Sequence, residues 1–169
     1  MRLVFVSTDG VLSNQHYIDL ISNRGINYMS NVQNQIDKNK ISLLNLLVNK
    51  TKASVVFSGS WRLNSSLDRL NEMIAKAGAT FKACDTTPYL YKSEKNRWTD
   101  YVDEMDLYFN RLRNKGIHPD SFVILDDRRD FRHYNDNLIR VPYERGLRPF
   151  HIEKCLDLFG IPRKKSIGQ

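Results

Sequence analysis

Three short apolar runs in this chain each end in a cluster of small or acidic residues. Leu3–Val6 runs into Ser7-Thr8-Asp9-Gly10, Ala53–Phe57 into Ser58-Gly59-Ser60, and Phe122–Leu125 into Asp126-Asp127. Short apolar runs bounded by turn residues read as buried strands. Between them, apolar residues recur at helical spacing. Ile41–Val48 carries Leu43, Leu44 and Leu47; Leu63, Leu67, Leu70, Ile74 and Ala77 stop at Gly78. Trp98, Val102, Met105, Phe109 and Leu112 stop at Lys115-Gly116, and Ile152, Cys155, Leu156 and Phe159 make a last helix. Two further strands are expected at Thr80–Ala83 and Leu138–Val141. Strand and helix in alternation predict an α/β fold: a three-layer, Rossmann-like parallel sheet with helices on both faces. In such sheets ligands bind outside the carboxyl ends of the strands. The three polar clusters fall at those ends and point to one site.

The 169 residues suffice for one well-cored domain, expected over 1–162, with a basic tail at 163–169 that includes Arg163-Lys164-Lys165. A hydrophobic fraction of 41% excludes a disordered chain. No apolar run is long enough to span a membrane, and the N-terminal one ends too soon for a signal peptide. Cys84 and Cys155 lack metal-type spacing and read as reduced thiols, which places the protein in the cytoplasm. The net charge of +7 favours a polyanionic partner. His16, His118, His133 and His151 show no ligand spacing and receive no role.

The pieces "VFVSTDGVLSN", "VVFSGSWR", "FVILDDRRDF" and "RVPYERGLRPF" cover most of the chain. In this order they resemble the phosphatases of the haloacid-dehalogenase (HAD) superfamily. Within it they most resemble the Swiss-army-knife RNA-repair domains and the phosphatase half of phage polynucleotide kinases. The resemblance implies a HAD-like fold and a magnesium-dependent phosphomonoesterase. A first aspartate attacks phosphorus and becomes an aspartyl phosphate. A second, matched by Asp9, protonates the leaving group and then activates water. Ser58 matches the hydroxyl that holds a phosphate oxygen, with Gly59 beside it. Lys95 or Arg97 is the candidate for the basic residue that offsets charge on the phosphoryl group. Asp126 and Asp127, with Asp9, match the acidic set that holds magnesium. Gly10 lets backbone N–H groups approach the phosphate, and the fork of Arg62 suits bidentate contact with it.

Blander readings stand beside these. Ser58 caps a helix equally well. Asp126-Asp127-Arg128-Arg129 also reads as a solvated turn, although adjacent carboxylates repel unless something offsets them. Trp61 reads as core in preference to a stacking platform for a base. The sharpest departure is Ser7, which stands where the family has its nucleophilic aspartate. An aspartyl phosphate is a mixed anhydride that hydrolyses readily, whereas a phosphoserine has a poor leaving group. Serine also removes one anionic magnesium ligand. Turnover should be nearly abolished, with residual assistance on the order of 10³-fold from the rest of the site. Either the native residue is aspartate, or the chain is a variant that binds phosphate without cleaving it.

The polar stretch between Val6 and Ala53 has room for a small flap and not for a cap domain. An uncovered site suits a bulky substrate: a nucleic-acid end or a nucleotide. Arg128, Arg129, Arg132, Arg145 and Arg148 are placed to follow a backbone. The expected protein is a monomer or small homo-oligomer. Its rivals are a non-catalytic phosphate- or nucleic-acid-binding module and a protein phosphatase.

Overall fold

The computed structural model describes residues 1–28, 35–90 and 101–162. Five parallel strands form one sheet: β1 (Arg2–Val6), β2 (Ser54–Phe57), β3 (Ala83–Thr86), β4 (Ser121–Asp126) and β5 (Leu138–Arg140). Their order is β3-β2-β1-β4-β5, so the chain moves outward in one direction from β1 and then in the other from β4. The helices are α1 (Gln15–Ser22), α2 (Lys38–Thr51), α3 (Leu67–Lys76), α4 (Tyr101–Asn114) and α5 (Pro149–Leu158). The architecture is the expected three-layer α/β fold. Among the described residues, no helix is long and apolar enough to cross a membrane.

Side chains alternate across a strand, and β1 therefore feeds both layers. Val4 and Val6 join Val55, Phe57, Val123 and Leu125 under α2, α3 and α5. Leu3 and Phe5 join Val56 and Ile124 under α4. Phe5 meets Tyr108 and Phe122 edge-on, at centroid separations of 5.4 Å and 6.0 Å. These geometries favour aromatic packing beyond simple burial.

Two expected elements shift. Leu63 belongs to a single 3-10 turn (Ser60–Leu63); helix α3 starts only after Ser66, whose hydroxyl accepts the Arg69 N–H at 3.2 Å. The third strand lies at Ala83–Thr86, not Thr80–Ala83. It is a sheet edge, with Cys84 and Asp85 exposed, and so lacks the apolar run that marks the central strands. Helix α1 falls within the polar stretch read as a flap. Its signal was the Asn14 cap, whose side chain accepts the Tyr17 N–H at 3.0 Å. Trp98 and the tail 163–169 lie outside the described residues.

Candidate functional site

Register brings the polar clusters together. Val6 pairs with Phe57 on one side and with Leu125 on the other, so Ser58, Ser7 and Asp126 stand in a row at the sheet's carboxyl edge. Backbone bonds extend the ladder to them: Ser7 N–H donates to Leu125 O and Ser58 N–H to Val6 O, each at 3.0 Å. This edge lies where the strand order changes direction, the usual ligand position in an open α/β sheet.

The turns are packed against one another through glycines. A Cβ on Gly59 would stand 2.8 Å from both Ser7 Oγ and Thr8 N. Gly10, at a φ of +77°, would place one 2.6 Å from the Cβ of Asp127. Neither position admits a side chain without moving a neighbouring turn. The segment containing Gly146-Leu147 closes the far side, where Leu147 N–H donates to Val11 O at 3.1 Å.

Asp9 is half-buried, and its carboxylate accepts the Trp61 indole N–H at 2.8 Å and the Ser60 hydroxyl. Trp61 therefore does more than pack on the core, as its sequence reading had it. Ser60 and Trp61 were both visible within the "SGSWR" motif, but their target was not. Ser7, 2% exposed, donates its hydroxyl to the backbone carbonyl of Asp9 at 3.1 Å. A carbonyl is a poor proton acceptor, so this contact leaves the serine without a general base.

Ser58 does not cap a helix. Gly59 holds the cap position of the 3-10 turn, with no side-chain bond. The Ser58 hydroxyl is buried and has no hydrogen-bond partner among the described residues, and the same holds for Thr8 Oγ1. An unmet buried hydroxyl costs about 1–3 kcal/mol. A ligand oxygen at this edge would remove that cost.

Arg62 takes a different role from the expected phosphate contact. Its side chain is buried and ion-paired with Glu104 of α4. Nη1 donates to Ser58 O and Gly59 O, Nε to Thr87 O, and Nη2 to Pro88 O as well as to Glu104. Five donors are thereby committed within the protein, which makes Arg62 the tie behind the Ser58 turn. Burial lowers the Arg62 pKa and raises that of Glu104, each opposed by the charge of the other.

Among the described residues, no three His, Cys, Asp or Glu side chains converge to hold a metal ion. Asp9 is engaged by Trp61 and Ser60. Asp126, fully buried, accepts Arg128 N–H at Oδ1 and Arg128 Nη1 at Oδ2, each at 3.0 Å. Position 7 offers no carboxylate to bridge them. Asp9, Asp126 and Asp127 thus do not fit a dication as they stand. Burial pushes the Asp126 carboxyl up to about 6, with Asp127 adding to the rise and Arg128 opposing it. Lys95 and Arg97 lie outside the described residues.

The family described as "HAD domain in Swiss Army Knife RNA repair proteins" matches residues 3–152. The chain belongs to that family. No curated protein and no solved structure matches the chain significantly. In this HAD domain, the matched span takes in all three polar turns, the Gly146-Leu147 segment and the start of α5.

Proposed function

We propose that this HAD domain binds the phosphorylated end of a nucleic acid, or a nucleotide, and that Ser7 leaves it with little or no turnover. The observation that carries this reading is the Ser58 hydroxyl, buried without a partner among the described residues at the carboxyl end of β2 and in line with Ser7. The family's tie to RNA repair favours a nucleic-acid end over a phosphoprotein. A cytoplasmic setting fits the free thiols of Cys84 and Cys155. Hydrolysis by the family route, with its magnesium, belongs to a chain that has aspartate at position 7.

Titration calorimetry with matched oligonucleotides tests the assignment, one phosphorylated at an end and one hydroxyl-terminated. The phosphorylated form binds more tightly, and Ser58→Ala removes roughly 10–100-fold of that preference, the worth of a hydrogen bond to a charged group. Equal binding of the two oligonucleotides to the unaltered protein would contradict it.

A second expectation concerns the strand beyond the phosphate. Arg129 is exposed, and Arg132 is exposed while paired with Asp103 at 3.6 Å. Each phosphate neutralised contributes about −0.7 to the log–log salt slope for a single strand. Replacing both arginines with alanine is expected to reduce the magnitude of that slope by about 1.4. An unchanged slope would remove them from the binding path.

A further inference from the structure

The Asp126–Arg128 pair places a cation at the edge of the site. The Arg128 guanidinium rests on the Tyr101 ring, with its central carbon 3.0 Å from the centroid, and Nη1 grips the buried Asp126 carboxylate. The hydrogen bonds of Arg128 among the described residues run from its backbone N–H and Nη1, not from Nε or Nη2, and the side chain keeps 29% of its exposure. A cation is therefore fixed from two sides beside the row of Ser58, Ser7 and Asp126, with donors to spare.

We infer that Arg128 takes the place of a divalent cation in this chain, so that the site holds a phosphate monoester without metal. The charge balance agrees. Serine in place of aspartate at position 7 removes one negative charge. A guanidinium in place of a dication removes one positive charge. Relative to a site with that aspartate, a dication and no arginine at position 128, the sum facing the phosphate is unchanged. Arginine also suits the task chemically, because its planar fork offers paired donors to phosphate oxygens while remaining charged throughout the ordinary pH range. Stacking on Tyr101 and pairing with Asp126 hold the fork before a ligand arrives, which reduces the ordering cost of binding.

This inference rests on the phosphate site proposed above, and its test separates the two. Inorganic phosphate is titrated calorimetrically into the unaltered protein, once with EDTA and once with magnesium. Affinities that agree within about twofold are expected, a difference under 0.5 kcal/mol. Binding that appears only with magnesium overturns the inference and leaves the phosphate site standing. An absence of binding in both buffers overturns the phosphate site itself, and the inference with it. Arg128→Ala extends the test. In EDTA it is expected to bind phosphate roughly 10–100-fold more weakly, the loss of a charge-assisted hydrogen bond. Arg128→Lys keeps the charge without the fork and falls between. Unaltered phosphate affinity of a folded Arg128→Ala in EDTA also overturns the inference. The metal comparison on the unaltered protein decides the matter even where Arg128→Ala, by unpairing the buried Asp126, does not fold.

Discussion

Ser7→Asp acquires magnesium-dependent hydrolysis of an aryl phosphate, at a rate at least about 10³-fold above the unaltered protein, the order of effect seen when a nucleophile is removed from an otherwise complete site. Three features of the structure lead to this expectation. Ser7 stands level with Asp126 across the β1–β4 pair and touches the Ser58–Gly59 turn, so position 7 is already at the centre of the site. Its hydroxyl is turned to the Asp9 carbonyl and lacks a base. Position 7 holds no carboxylate, and one placed there gives a dication an anionic ligand with which to compete with Arg128 for Asp126. An aspartate there supplies both a nucleophile whose phosphoryl intermediate hydrolyses readily and a third anionic oxygen ligand. Steady-state assays with magnesium and with EDTA measure the effect. Equal rates in Ser7→Asp and the unaltered protein would refute the assignment of position 7.

Glu104→Ala costs about 3–5 kcal/mol of folding stability, the range for removing one member of a buried ion pair. Glu104 is 1% exposed and Arg62 2% at its side chain, so the guanidinium left behind has no water to replace its partner. Leu90 N–H, which donates to Glu104 Oε1 at 3.2 Å, loses its acceptor as well. The contrast is Glu72→Ala on α3. Glu72 pairs with Arg69 at 3.0 Å, but both side chains are about half exposed. Exposed pairs of this kind are worth about 0.3–0.5 kcal/mol. Urea unfolding of the two variants gives the comparison. Similar midpoints would show that the Arg62–Glu104 pair is not the tie described here. Because Arg62 holds the carbonyls of Ser58 and Gly59, the loss in Glu104→Ala extends to phosphate binding.

The three site-bearing strands were legible because each is flanked on both sides in the sheet and buried on both faces, which forces a short apolar run. The edge strand β3 was misplaced because one buried residue, Ala83, leaves no such run. Helix α1 was missed because it buries only Ile21. The turns of the site were legible for a related reason: a parallel sheet collects its strand ends at one edge. What the turns' side chains contact was not. Arg62 read as a phosphate ligand because its partner Glu104 lies 42 residues away on another helix. Trp61 read as core because an indole has an apolar body, and only the folded turn shows its N–H on Asp9. Arg128 read as one of several backbone-tracking arginines, since nothing in the run Asp126-Asp127-Arg128-Arg129 says which of them turns back onto the buried acid.

The most direct measurement is a crystal structure of the unaltered protein with a short oligonucleotide ending in a phosphate. A phosphate oxygen is expected within hydrogen-bond distance of Ser58 Oγ, beside Ser7 and the Asp126 turn, with the strand leading away over the protein surface. A phosphate bound elsewhere, with Ser58 Oγ turned to a partner within the protein, would contradict it.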